Sequence, residues 1–323
     1  MIANSGEYRK KNGQRGCVMM NNFIFENKTK VYFGKGGVKE CLGGLLANFG
    51  ETVMLAYGGG SIKCNGVYDE IMGILNAQGK CVVEFSGIMS NPTYAKVQEG
   101  AKLARENHVD LILAVGGGSV SDCCKVISGA FDTLSHAMET YFGKPDENNL
   151  SDDINEAVMR SVIRNIRILL TDPENYDARS ELAQASAMAE NGVLKIGKVS
   201  DFQAHQIEHQ LGAYTNCNHG AGLAVIHPVL YRHIYKSGAA RFARFAQNVW
   251  GIAPKGSDEE TAAAGIDALA AFIKEIGLPT SFAELGIPAD TDFRAIADST
   301  NVTAGCCKKL THDEIYEILQ ECL

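Results

Sequence analysis

Apolar residues along the chain follow two different periods. Residues 30–33, 52–57, 81–85 and 111–115 are short runs rich in Val, Leu and aromatic residues, each ending near Gly or Ser. Between them apolar positions recur at helical spacing. Tyr94, Val97, Ala101 and Ala104 do so behind Asn91-Pro92, where Asn suits an N-cap and Pro the first turn. Strand–helix alternation predicts a parallel sheet covered by helices, the architecture that binds nucleotides at the carboxyl ends of its strands. From Phe131 the strand signal stops. Ile154, Val158, Val162 and Ile166 recur every four residues, and Ala-rich helical segments follow at 180–191 and 261–274. Thr311 precedes a last amphipathic segment, with Glu314 at capping-box spacing.

The fold class expected is an α/β Rossmann-like N-terminal domain over residues 22–130, followed by an all-α domain over 131–323. The parallel sheet is incomplete by the standard of doubly wound folds, because only four strand signals precede the helical half. Ala130 also runs into Phe131 with no linker. Residues 1–21 carry Arg9, Lys10, Lys11 and Arg15 with no apolar stretch after them; they read as a disordered tail, with Met19 or Met20 as an alternative start.

Composition narrows the class. The 323 residues make roughly two domains' worth of chain, 46% hydrophobic and 21% charged, with a formal net charge of −8. An acidic chain with no clustered Lys and Arg argues against nucleic acid and anionic membranes as partners. No apolar run reaches the length of a spanning helix. The ten cysteines include the adjacent pairs Cys123-Cys124 and Cys306-Cys307 and no C-x-x-C. Free thiols and a cytoplasmic location are expected. A homodimer is expected on base rate.

Three groups of residues carry candidate chemistry. Gly116-Gly117-Gly118-Ser119 follows one strand run and precedes a helix, so its backbone can approach a pyrophosphate at a helix N-terminus. Gly58-Gly59-Gly60-Ser61 follows another run. No carboxylate occupies that turn and Lys63 lies just beyond, which permits NADP as well as NAD. Either turn also reads as a tight βα loop. The third group is Asp132 with His136 four residues on, and His205, His209 and His219. Residues four apart on a helix share a face, and a carboxylate with imidazoles suits Fe²⁺, Zn²⁺ or another divalent metal. His205, Glu208 and His209 also match H-x-x-E-H, an inverted zinc-peptidase motif with Glu as general base.

Taken together, these motifs resemble the iron-containing (group III) alcohol dehydrogenases, most closely the butanol dehydrogenase-like branch. The likeness covers nearly everything after about Asn22. It runs through Thr29 to Gly36, Tyr57 to Lys63, Asn91-Pro92, Gly116 to Asp122 with Lys125, Asp132 to His136, His205 to Gly220, and Lys308 to Thr311. The resemblance implies a metal held by Asp132, His136, His205 and His219, with His209 as a proton-relay histidine near the nicotinamide. It also implies NAD(P) bound at Gly58, Gly59, Gly60, Ser61, Asn91, Gly116, Gly117, Gly118, Ser119 and Asp122, with Gly58 where NAD-preferring relatives carry Asp. The expected reaction is hydride transfer between NAD(P)(H) and a small primary alcohol or aldehyde, such as butanol or butyraldehyde. The chain departs from the family pattern at one main point. Family members carry a long segment, with further strands and nicotinamide contacts, where Ala130 here meets Phe131. Phe202 also replaces a common Trp. An internally shortened, catalytically silent relative that keeps its metal site is the alternative.

Overall fold

In a computed structural model, the described residues are 24–25, 30, 32, 34–88, 94–116, 123–302 and 307–323, without the side chains of Ser61, Tyr94 and residues 123–128. Asn91, Gly117, Gly118, Ser119 and Asp122 therefore lie outside the described residues. The N-terminal unit runs α1 (Gly37–Leu46), β1 (Thr52–Tyr57), α2 (Ser61–Cys64), α3 (Val67–Ala77), β2 (Cys81–Phe85), α4 (Tyr94–Glu106) and β3 (Leu111–Val115). The three strands pair in parallel in the order β2-β1-β3, with Val53 opposite Val82 and Leu111. β1 is central and almost wholly buried, as its near-continuous apolar sequence requires. Val53, Leu55 and Tyr57 pack with Ile71 and Leu75 of α3 on one face, while Met54 and Ala56 meet Phe85, with Leu103 of α4 against them, on the other.

One expectation changes here. Lys30 and Tyr32, the described residues of the first apolar run, are not in a strand, so among the described residues the sheet has three strands rather than four. β3 is an edge strand with Ile112 59% exposed. A run of four residues holds a strand only when a neighbour accepts its ladder and buries its face, and nothing in the local pattern supplies that neighbour.

The helical unit continues with α5 (Cys123–Tyr141), α6 (Leu150–Thr171), α7 (Tyr176–Glu190), α8 (Gln203–Thr215), α9 (His219–Ile234), α10 (Ala239–Asn248), α11 (Asp258–Glu275), α12 (Phe293–Ser299) and α13 (His312–Glu321). The capping box is present at α13: Glu314 N donates to Thr311 Oγ1 at 3.2 Å and Thr311 N to Glu314 Oε2 at 2.9 Å. α5 is unbroken across residues 130 and 131, and from Ala130 to Tyr141 its residues are buried on nearly every side. A helix enclosed all round is the axis on which the others pack. Phe142, just past its end, stacks on Phe242 at 4.0 Å between ring centres.

The end of α5 also sets the entry to α8. Lys144 and Val199 exchange backbone hydrogen bonds at 2.9 and 2.8 Å, and Asp201 N donates to Glu139 O at 2.9 Å. Gly143 makes this crossing possible, since a Cβ there would lie 2.3 Å from Val199 O and 2.8 Å from Ser200 Cα. Both obstacles are backbone and cannot rotate away. Gly143→Ala is therefore expected to lower unfolding free energy by about 1–3 kcal/mol through overpacking. Urea denaturation measures this, and stability equal to the parent's would contradict the proposed close approach.

Candidate metal centre

Asp132 and His136 lie one turn apart on α5, His205 in the first turn of α8, and His219 at the first position of α9. Asn218 caps α9, its Oδ1 accepting from Ala221 N at 3.0 Å, which fixes where the helix and hence His219 begins. The fold brings all four residues together. Asp132 Oδ1 stands 3.3 Å from His205 Nε2, 3.4 Å from His219 Nε2 and 3.6 Å from His136 Nε2. His136 and His205 present their Nε2 atoms 3.1 Å apart.

These distances test the fit of a cation. Ligands about 2.1 Å from a metal have tetrahedral neighbours about 3.4 Å apart, close to the separations found. Asp132 Oδ1 is buried and makes no hydrogen bond of good geometry among the described residues. Ligand atoms from Asp132, His205 and His219 all lie within 4.8 Å of one another. A buried carboxylate oxygen faced by three imidazole nitrogens is a donor set suited to a divalent transition metal.

Further carboxylates stand behind two of the histidines. His205 Nδ1 is bonded to Glu139 Oε2 and His219 Nδ1 to Glu208 Oε2. Glu139 is itself fixed by Ala204 N, which donates to its Oε1 at 2.6 Å. Such partners settle the tautomer, leaving Nε2 to face the cation. Gly222 of α9 lets Glu208 reach its place, because a Cβ there would stand 2.9 Å from both Glu208 Cγ and Oε1. Glu139 lies three residues after His136 on the same helix; that spacing was the signal that could have identified it.

The charges are strongly coupled. Burial opposes ionisation of Asp132, but the His205 and His219 imidazoles hold its carboxyl well below the usual range. Burial likewise works against charge on His205 and His219. Glu139 and Asp132 nevertheless push His205 up to about 9, and Asp132 and Glu208 push His219 up to about 10. Farther in, Ser135 Oγ lies 2.6 Å from Nε2 of His227, whose complete burial pushes it down to about 4. His209 is exposed on α8, its ring nearly parallel to that of His219 with centres 5.3 Å apart. Burial of part of the ring and the neighbouring His219 lower its pKa. Phe202 adopts φ 54° at the start of α8 and sets its ring 5.4 Å from His136 and 5.0 Å from His205. Left-handed backbone in a Phe is strained, a cost of order 1–3 kcal/mol that recurs at functional sites.

The glycine turns are only partly in view. Gly58 ends β1, its carbonyl accepting from Gly87 N at 2.9 Å, and a Cβ there would stand 3.0 Å from Ile88 O. Gly59 and Gly60 have open space around them, and Ser61 begins the single turn α2. Gly116 follows β3 directly. Beside the first turn stands a carboxylate that the turn itself does not contain. Glu84 of β2 accepts from Tyr57 and Tyr68 at 2.5 and 2.6 Å and lies 3.6 Å from Lys63 Nζ.

Residues 126–323 match the Fe-containing alcohol dehydrogenase family, C-terminal region, and residues 28–157 match the iron-containing alcohol dehydrogenase family. The chain is 30% identical over 392 aligned positions to a probable NADH-dependent butanol dehydrogenase 2 of Bacillus subtilis, covering 94% of this chain and 100% of that protein. It is 27% identical to the NADPH-dependent aldehyde reductase YqhD of Escherichia coli, with 83% and 90% covered. Among solved structures, the NADH-dependent butanol dehydrogenase A of Thermotoga maritima superposes with a TM-score of 0.88 at 27% identity, covering 94% and 99% of the two chains. The chain belongs to the iron-containing alcohol dehydrogenase family, a class with a Rossmann-like N-terminal unit and a helical C-terminal one. The Bacillus alignment spans more positions than the 323 residues present here, so that relative carries positions this chain lacks. The peptidase reading of H-x-x-E-H is overturned by the family match. Glu208 is also only 2% exposed and committed to His219, so it is not free to activate water.

Two outcomes follow from this geometry. Asp132→Ala and His205→Ala are expected to weaken metal binding by more than the roughly 10–100-fold that loss of an outer partner such as Glu139 costs. Metal content by mass spectrometry reads this directly, and full occupancy in both variants would refute it. The second concerns pH. Folded-state pKa values of about 9 and 10 for His205 and His219 lie above that of free imidazole, about 6.5. Their contribution to metal-free stability is present below about pH 6.5 and is lost as pH rises through those values. The Tm of chelator-stripped protein should fall across that window, and a flat profile would count against the coupling.

Proposed function

We propose that this chain is a divalent-metal-dependent, NAD(P)-linked alcohol dehydrogenase or aldehyde reductase acting on small primary alcohols and aldehydes such as butanol and butyraldehyde. The observation that carries the reading is the buried Asp132 oxygen faced by the Nε2 atoms of His136, His205 and His219. Fe²⁺ is the metal of the family's name, and Zn²⁺ suits the same donors. When bound, the cation supplies Lewis acidity that lowers an alcohol's pKa or polarises an aldehyde.

The chain's own residues supply the rest. Glu139 and Glu208 orient His205 and His219. Phe202 covers His136 and His205 with an apolar ring, keeping water from that side. His209 is partly exposed beside His219, where an imidazole can pass a proton to solvent. The pyrophosphate cradle is assigned to Gly116, Gly117, Gly118 and Ser119 with Asp122 close by. By the family likeness, Gly58, Gly59, Gly60, Ser61 and Asn91 are assigned to the rest of the cofactor. Cys123 opens α5 just after the second turn, and nine residues at 1.5 Å each place Asp132 about 14 Å further along. No described helix is long and apolar enough to cross a membrane.

A second reading, a relative that binds metal without turnover, is favoured by the exposed β3 edge and the continuous α5. Butyraldehyde reduction followed at the nicotinamide absorbance, with NADH or NADPH and with or without Fe²⁺, separates the two. Metal-stimulated turnover that Asp132→Ala abolishes is the expected result. Stoichiometric metal with no turnover on either cofactor would establish the silent relative instead.

A further inference from the structure

Glu190 has no role in the preceding reading, and nothing in the sequence pattern distinguishes it. It is the last residue of α7, with its side chain 53% exposed, yet its Oε1 lies 2.9 Å from His136 Nε2. A carboxylate there meets the negative end of the helix dipole, an unfavourable position unless a cation lies close by.

His136 differs from the other two imidazoles of the site. His205 and His219 each turn Nδ1 to a carboxylate, Glu139 or Glu208, which leaves Nε2 for a metal. His136 Nδ1 is buried and makes no hydrogen bond among the described residues. Its Nε2 is shared between Asp132 at 3.6 Å and Glu190 at 2.9 Å. The tight trio is Asp132, His205 and His219. At the next corner an imidazole and a carboxylate stand side by side. With bonds of about 2.1 Å, adjacent ligands of an octahedral cation lie about 3.0 Å apart. The His136–Glu190 and His136–His205 separations, 2.9 and 3.1 Å, are of that size.

We propose that Glu190 is an additional carboxylate ligand of the cation, entering its coordination sphere beside His136. The inference rests on the metal-site reading above. Two carboxylates and three imidazoles make a five-ligand set, which favours a cation that readily accepts high coordination, such as Fe²⁺ or Mn²⁺, over Zn²⁺, which is most often tetrahedral.

Co²⁺ is the probe, because its visible absorption strengthens as coordination falls from six or five to four. Protein stripped with chelator is reloaded with Co²⁺, and its spectrum and affinity are measured for the parent, Glu190→Gln and Glu190→Ala. Both substitutions alter a half-exposed side chain, and circular dichroism checks that the helices persist. The expected result is a weak band in the parent, a stronger and shifted band in both variants, and Co²⁺ affinity at least about tenfold lower. An unchanged spectrum in both variants overturns the proposal, even if affinity falls, since the carboxylate would then act from outside the coordination sphere. Failure of the parent to bind Co²⁺ overturns the metal-site reading itself, and Glu190 with it.

Discussion

Three imidazole nitrogens face one buried carboxylate oxygen at 3.3–3.6 Å, and much of the helical unit is arranged around that meeting point. Without a cation between them the groups must share protons, which is why Asp132 is held ionised while His205 and His219 are driven basic. A divalent ion relieves the same arrangement by taking the nitrogens' lone pairs and releasing their protons. The donor set therefore suits a positive charge that the protein itself does not carry.

The surrounding fold shows how such a cluster is kept from collapsing. Glu139 and Glu208 are buried carboxylates that hold two of the imidazoles from behind, each placed by a neighbouring backbone feature: the N-terminus of α8 for Glu139, and the bare Cα of Gly222 for Glu208. Gly143 permits the crossing that delivers α8 to α5. Two glycines, neither in the glycine-rich turns, therefore shape this cluster by what they leave out. Phe202 completes the arrangement at the cost of a left-handed backbone, a local strain beside the donors.

The N-terminal unit is built more sparingly. Among the described residues its three parallel strands have helices on both faces, but β3 leaves Ile112 largely exposed, and α5 runs without interruption through Asp132 and His136. The Bacillus relative carries positions that this chain lacks. Among the described residues, one unbroken helix, α5, carries both Asp132 and His136.

Much of this was legible in the order of residues. β1, β2 and β3 follow their apolar runs residue for residue, and α6, α7, α11 and the capped α13 lie where periodicity and Thr311-Glu314 spacing put them. Such features are local: period, cap and turn chemistry act over a few neighbours. Asp132 and His136, and His205 and His209, were visible as pairs for the same reason. Which imidazoles share one oxygen, that Glu139 stands behind His205, and that Glu84 reaches a turn containing no carboxylate depend on segments far apart in the chain. The same holds for Glu190, whose place at His136 follows from packing α7 against α5. Residues 30–33 show the converse, an apolar run with strand character whose described residues form no strand. Local sequence sets what each segment can become, whereas long-range packing decides which side chains end within bonding distance, because burial is a property of neighbours and not of order.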